Sequence, residues 1–251
     1  MIEEPATLPL DDERPRPAEP GWGWREVGAT VALTVGAALA LGLVARGATA
    51  ALGVEAGEAL VSPTLYVVGL GIYLAAIAGV YLFAARRAGW AALGLRDTGW
   101  VSFALVPPLF VLELLALAMV NGLVGALAGG FENPQVNAIT GGRAISPVEL
   151  AMLLALVAGV VPIAEELFFR GMLYPLLRSR MGALPAIVLN AAIFSAAHVF
   201  PLLLPGLFVV GLFLAYLRER SGSIWPSVCL HALQNSLAMV SIAVALGGGG
   251  L

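Results

Sequence analysis

The chain has 251 residues, of which 60% are hydrophobic and only 12% are charged. A soluble domain usually carries about a quarter charged residues, so the composition excludes an ordinary soluble globular protein. The net charge is −3 without any basic patch that would suggest nucleic-acid binding, and the single cysteine, Cys229, excludes an intrachain disulfide.

The first 25 residues differ from everything that follows. Residues 1–25 contain five prolines, six acidic residues and three arginines, which predicts a disordered, acidic, proline-rich cytoplasmic tail. Because the tail is negatively charged, it does not resemble a cleaved signal peptide. Residues 26–251 are predicted to form a single transmembrane helical domain.

Long stretches without Asp, Glu, Lys or Arg follow the tail. Each approaches the ~20 apolar residues that a helix needs to cross a bilayer, and none alternates as a strand would. Pro201 and Pro205 divide a charge-free run, 181–217, that is too long for one crossing. The sequence therefore predicts an all-α, polytopic transmembrane bundle of about 7–8 helices. Its seven spans are predicted at 27–45, 63–85, 101–129, 147–177, 182–200, 202–218 and 223–246.

The arginines predict the orientation. All 13 basic residues are arginine, which favours a GC-rich prokaryotic source. With the N-terminus inside, ten arginines flank the cytoplasmic ends of the spans, and only Arg46 and Arg143 lie in external loops. This positive-inside bias predicts an integral protein of a prokaryotic cell membrane with a cytoplasmic N-terminus.

Few ionisable residues fall inside the predicted spans, and both histidines of the protein are among them. Such residues are energetically unfavourable in lipid and usually mark a functional interior. They are Glu113, Glu165, Glu166, Arg170, His198 and His231. Of these, Glu113 lies apart from the motifs described next, and it is predicted to line a substrate cavity or to pair with a helix end.

The first motif is a pair of glutamates followed by an arginine. Glu166 and Arg170 are four residues apart in the order that favours an ion pair on a helix. Glu165 is rotated by about 100° from Glu166 and has no partner nearby in sequence, so it is a candidate general base. A structural ion pair beside a solvated glutamate explains the same pattern.

Two further motifs each place polar groups one helical turn apart. Phe194 precedes His198 by four residues, and His231 precedes Asn235 by four. An imidazole and an amide can together donate two hydrogen bonds to an oxyanion. They can equally tie neighbouring helices together, as a core histidine does.

The depths of the three motifs favour a shared site. Glu165 and His198 both lie about 24–26 Å from the predicted turn near Met181, and His231 and Asn235 lie roughly 15–21 Å from the next turn. Three helices thus carry polar groups at overlapping depths, which predicts a common hydrolytic centre.

These motifs, in this order, resemble the CPBP family of CAAX proteases and bacteriocin-processing enzymes, also called Abi proteins. The resemblance covers about 147–240, and Trp90 to Arg96 also resembles a segment of these proteins. It implies an intramembrane protease in which Glu165 and His198 activate water. It further implies that His231 and Asn235 stabilise the oxyanion while Arg170 holds Glu166.

The resemblance leaves the role of metal open, since family members are described both as metalloproteases and as glutamate-dependent proteases. If zinc is present, its predicted ligands are Glu165, His198 and His231. A metal-free scheme, in which neutral His198 polarises the water, is favoured.

The predicted substrate is a membrane-embedded or lipid-anchored peptide or protein, and the predicted reaction is cleavage of a peptide bond. The main alternative is a non-catalytic scaffold or immunity protein that retains the fold. A proton-linked transporter would also place Glu and His in membrane helices, although the chain has no inverted repeat.

Overall fold

The computed structural model describes residues 17–53, 60–130, 133–198 and 200–247, so residues 1–16 of the predicted tail lie outside the described residues. Across these ranges the chain forms eight helices and no strand, which confirms the all-α prediction. The helices are α1 Trp24–Leu52, α2 Pro63–Ala88, α3 Trp100–Ala128, α4 Gln135–Thr140, α5 Pro147–Arg178, α6 Ala183–Ala196, α7 Pro201–Ser221 and α8 Trp225–Gly247.

Six of these helices are long and apolar enough to cross a membrane, and α6 is not. The fifth span, predicted at 182–200, ends at Ala196 after 14 residues. That length is about 21 Å, which is shorter than a ~30 Å hydrocarbon core. Phe200 has an extended backbone (φ −103°, ψ 98°) because the ring of Pro201 disfavours the helical conformation in the residue before it.

The N-terminal boundary also differs from the prediction. α1 begins at Trp24, and Trp22 is buried with its indole N–H donating to the Met172 carbonyl at 2.9 Å. A buried tryptophan whose N–H is satisfied stabilises the segment on which it lies. The ordered domain therefore begins several residues before residue 26.

One end of the bundle carries most of the arginines that follow or terminate helices. We call it the arginine-rich face, defined by Arg86, Arg87, Arg178, Arg180, Arg218 and Arg220. Four exposed tryptophans lie on this side, namely Trp24, Trp100 and Trp225 at helix starts and Trp90 in the turn after α2. Tryptophan is enriched at membrane–water interfaces, so this ring marks the level at which the bundle leaves the lipid.

α5 lies in the centre and contacts α2, α6, α7 and α8. Its segment Leu167–Leu173 is π-helical, a local widening that is often found at functional sites. Two carbonyls of this segment bind side chains of other helices. Asn190 Nδ2 donates to Phe169 O at 2.9 Å, and Arg218 Nε donates to Arg170 O at 3.0 Å. The π-helical turn is thereby fixed from two sides.

α6 and α7 approach each other closely at Gly211. A Cβ atom added there would lie 2.9 Å from the Cα atom of Ala191, closer than real Cβ contacts come. The absence of a side chain at Gly211 therefore allows α7 to lie against α6.

Candidate active site

Glu166 and Arg170 form a completely buried ion pair, as the sequence predicts. Arg170 Nη1 lies 2.8 Å from Glu166 Oε1, and Nη2 donates to the Gly211 carbonyl at 3.1 Å. The same oxygen of Glu166 lies 3.1 Å from His231 Nδ1. Because a carboxylate accepts hydrogen bonds, this contact assigns a proton to His231 Nδ1. Glu166 therefore orients both a cation and an imidazole.

Phe194 forms an aromatic wall shared by three of these groups. The Arg170 guanidinium lies 4.5 Å from the centroid of the Phe194 ring, within the range of a cation–π interaction. The rings of His198 and His231 pack edge-on against the same ring, with centroids 4.9 Å and 5.9 Å away. The second motif thus positions both histidines, not only its own.

Glu165 has one bonded and one unbonded carboxylate oxygen. Its Oε1 accepts a hydrogen bond from the Tyr73 hydroxyl at 3.3 Å, whereas Oε2 has no hydrogen-bond partner among the described residues. Oε2 lies 3.9 Å from His231 Nε2, which is too long for a direct hydrogen bond. A water molecule beside the two groups can hydrogen-bond to both at that separation.

His198 lies just after the end of α6 and has a defined tautomer when neutral. Its Nδ1 is 2.9 Å from the carbonyl oxygen of Phe194. A carbonyl can only accept, so Nδ1 carries the proton and Nε2 keeps its lone pair. His198 can therefore accept a hydrogen bond from water through Nε2.

Asn235 is partly engaged in fixing α8 against α5. Its Nδ2 donates to the Val157 carbonyl at 2.7 Å. An amide NH₂ group has two hydrogens, so one remains for the oxyanion role that the resemblance implies.

A central cavity of about 420 Å³ joins these groups. Glu165, His198, His231 and Asn235 all line it, so the convergence predicted from helix depth is present. His231 is the sixth residue after Trp225 along α8, which puts it about 9 Å beyond the tryptophan level. From there the cavity runs away from the arginine-rich face towards Leu60, Asn133 and Gln135, next to α4.

Three of the six ionisable residues predicted inside the membrane do not line this cavity: Glu113, Glu166 and Arg170. The prediction that Glu113 lines a substrate cavity is therefore wrong for the central cavity. Glu113 is fully buried near Arg170, and neither of its oxygens has a hydrogen-bond partner in the described part of the chain. Glu113 lies on α3, which packs against α7 and α8.

The motifs do not include Tyr73, the residue that binds Glu165. It lies near the middle of α2, whereas tyrosine in membrane proteins is enriched at the interfaces. This unusual depth is the one signal in the sequence that could have identified it.

The three predicted zinc ligands do not form a ready metal site. Among the described His, Cys, Asp and Glu side chains, no group of three or more has an arrangement that could hold a metal ion. His231 uses Nδ1 for Glu166, and its Nε2 lies 3.9 Å from Glu165 Oε2.

Comparison with known families places a match on the helices that carry this site. The model for type II CAAX prenyl endopeptidase Rce1-like proteins matches residues 147–237. The match confirms the resemblance to the CPBP family. This Rce1-like segment begins with α5 and ends within α8. It includes the six residues to which the resemblance assigns a role: Glu165, Glu166, Arg170, His198, His231 and Asn235.

The Rce1-like segment is not the whole domain. α1 to α4 lie outside it, although α2 supplies Tyr73 to the site and Leu60 precedes α2 at the cavity. No curated protein and no solved structure gives a significant match to the chain.

Proposed function

We propose that the protein is an intramembrane endopeptidase that cleaves a peptide bond in a membrane-associated protein or peptide. The Rce1-like match supports a CAAX-type endopeptidase at the level of the family. The single observation that carries the residue-level proposal is the unbonded Oε2 of Glu165. This oxygen belongs to a largely buried side chain on the central cavity, 3.9 Å from an imidazole nitrogen.

In the proposed first step, water binds between Glu165 Oε2 and His198 Nε2. Both are acceptors, so the two hydrogens of the water point towards them and its lone pair is free to attack the substrate carbonyl. As the new O–C bond forms, the proton passes to Glu165. Tyr73 keeps the carboxylate in place through the other oxygen.

His231 and Asn235 are the proposed donors to the oxyanion. With Nδ1–H bound to Glu166, the imidazolium form of His231 carries a second N–H at Nε2, which can donate to the developing negative charge. The charges of Glu165, Glu166, Arg170 and His231 then balance before water attacks. When the C–N bond breaks, Glu165 returns the proton to the leaving amine.

The lining of the cavity favours an apolar substrate. Leu156, Leu207 and Met239 are among the side chains around the polar centre. Since the cavity extends away from the arginine-rich face, the positive-inside rule favours entry from the extracytoplasmic side. We therefore expect the scissile bond to lie in an apolar segment presented at that side.

Replacement of the proposed base tests the function. Glu165→Gln keeps the size of the side chain but cannot take a proton, so cleavage should fall by at least about 10²-fold. The first measurement compares the membrane proteomes of cells that contain the wild type or Glu165→Gln and identifies a peptide that stays uncut in the variant. The second tests whether the purified wild-type protein cleaves that peptide. Glu19→Gln, a change at an exposed carboxylate that does not line the central cavity, is the matched control.

The purified wild type is assayed after its metal content has been measured and removed. Retained cleavage supports the metal-free scheme, whereas loss of cleavage that zinc restores contradicts it. If Glu165→Gln cells have the same peptides and phenotype as the wild type, the protein is a scaffold and the proposal fails.

A further inference from the structure

A second cavity, separate from the proposed active site, lies at the arginine-rich face. Its volume is about 640 Å³, and we call it the arginine cavity. It is bounded by the segment before α1, the turn after α2 and the ends of α5 and α7. Its charged lining residues are Arg96, Arg178, Arg218, Glu19 and Glu219.

Both carboxylates of this cavity already have partners. Glu219 binds Arg178 Nε at 3.2 Å through one oxygen and the Tyr174 hydroxyl at 2.8 Å through the other. Glu19 lies 3.6 Å from Arg180. Neither Arg96 nor Arg218 forms an ion pair with any carboxylate in the described ranges.

Arg96 and Arg218 are each anchored through Nε alone. Arg96 Nε donates to the Gly222 carbonyl at 2.8 Å, and Arg218 Nε donates to the Arg170 carbonyl at 3.0 Å. Their Nη groups make no hydrogen bond within the described residues. These nitrogens are not among the buried polar atoms that lack a partner, so they are accessible. The terminal N–H groups are therefore open to the cavity.

Two glycines bring these guanidinium groups close to the backbone. A Cβ at Gly94 would lie 3.0 Å from Arg218 Cζ, and a Cβ at Gly222 would meet the terminal nitrogen of Arg96. Both glycines have positive φ, 85° and 66°, so the turns themselves favour the residue that leaves this space. The two positive charges are near enough to repel each other. An anion between them would remove that repulsion.

We propose that the arginine cavity binds a phosphate group through the free Nη groups of Arg96 and Arg218. Guanidinium groups match the geometry of phosphate oxygens and bind them through paired hydrogen bonds. The level of the exposed tryptophans is where lipid phosphates lie, and basic pockets between helices on this side bind anionic headgroups. This inference is independent of the proposed proteolysis.

Native mass spectrometry of the full-length protein tests the site, with phosphatidylglycerol and phosphatidylcholine as probes. The wild type should retain phosphatidylglycerol in preference to phosphatidylcholine. Arg96→Gln and Arg218→Gln should each lower the bound fraction, expressed as an affinity, by roughly fivefold. Arg220→Gln removes the same charge from an exposed position of α7 outside the cavity, so it should bind like the wild type.

A parallel titration with inorganic phosphate separates a lipid from a soluble ligand. If phosphate binds the wild type and Arg96→Gln weakens it, while phosphatidylglycerol binds all variants equally, the site takes soluble phosphate esters. If Arg96→Gln and Arg218→Gln bind both probes as tightly as Arg220→Gln does, the proposal is wrong. Arg96 is exposed and Gln retains a donor for Gly222, so misfolding is not expected to obscure the result.

Discussion

The adjacent glutamates differ in what surrounds each carboxylate. Glu166 has no exposed surface and is bound by Arg170 and His231, whereas Glu165 faces the cavity. Glu166→Gln leaves a buried guanidinium without its counter-charge, so we expect a loss of about 3–5 kcal/mol in the free energy of unfolding. Thermal unfolding in detergent measures it. Glu165→Gln, with the same change one residue away, should unfold close to the wild type.

A compensating variant distinguishes ion pairing from a simple packing defect. Glu166→Gln combined with Arg170→Met removes both charges, and it should recover part of the stability lost by Glu166→Gln alone. If the double variant is no more stable than Glu166→Gln, the charge-based explanation is incorrect.

Tyr73 should contribute to rate through the orientation of Glu165. Tyr73→Phe removes one hydrogen bond to a charged group, worth about 1.5 kcal/mol, so cleavage should fall roughly tenfold. Tyr66→Phe is the matched control, since that hydroxyl donates to the Met152 carbonyl and does not line the central cavity. Equal rates for both variants would contradict the orienting role.

At the scale of helices, the contact between α6 and α7 depends on one glycine. Gly211→Ala would press a methyl group against the backbone of Ala191, and it should destabilise the protein by about 1–3 kcal/mol. The same shift would move the carbonyl that binds Arg170. Gly28→Ala in α1, where a Cβ meets nothing within 4 Å, should leave the thermal transition unchanged or slightly raised. Unfolding curves of the two variants provide the comparison.

The helices that depend mainly on local sequence could be predicted. Charge-free runs identify the long helices, and the turn near Met181 falls between α5 and α6 as predicted. The end of α6 at Ala196 could not be predicted from Pro201, because proline disfavours the helical conformation only in the residue before it, Phe200. The π-helical segment Leu167–Leu173 of α5 could not be predicted, because side chains that bind its carbonyls, such as Asn190, come from elsewhere in the fold.

For the site, the sequence spacing and the helix depths are sufficient to predict that Glu165, His198 and His231 share one cavity. They could not assign hydrogen-bond partners, which depend on rotamers and on the tertiary packing of other helices. The bond from His231 to Glu166 and the hydroxyl of Tyr73 are of this kind. The predicted roles of these residues in catalysis remain predictions.

At the scale of the whole molecule, the arginine cavity lies at the arginine-rich face, whereas the central cavity extends from the bundle interior towards α4 at the other end. With an arginine-rich face in the cytoplasm, α4 should be reached from outside the cell. A cysteine introduced by Asn137→Cys, in a Cys229→Ser background, should react with a membrane-impermeant maleimide in intact cells. Arg87→Cys, exposed at the other end, should react only after lysis. The reverse pattern would invert the orientation and the proposed side of substrate entry.

Arg218 connects the arginine cavity to the buried charge cluster formed by Glu166, Arg170 and His231, since its Nε donates to the carbonyl of Arg170 while its outer nitrogens face the arginine cavity. If a phosphate ligand changes the hydrogen bond from Arg218 to the Arg170 carbonyl, the geometry of the buried charge cluster will depend on membrane composition. Thermodynamic linkage then requires reciprocity: a peptide that binds more tightly in anionic bilayers must, by the same factor, increase the retention of anionic lipid.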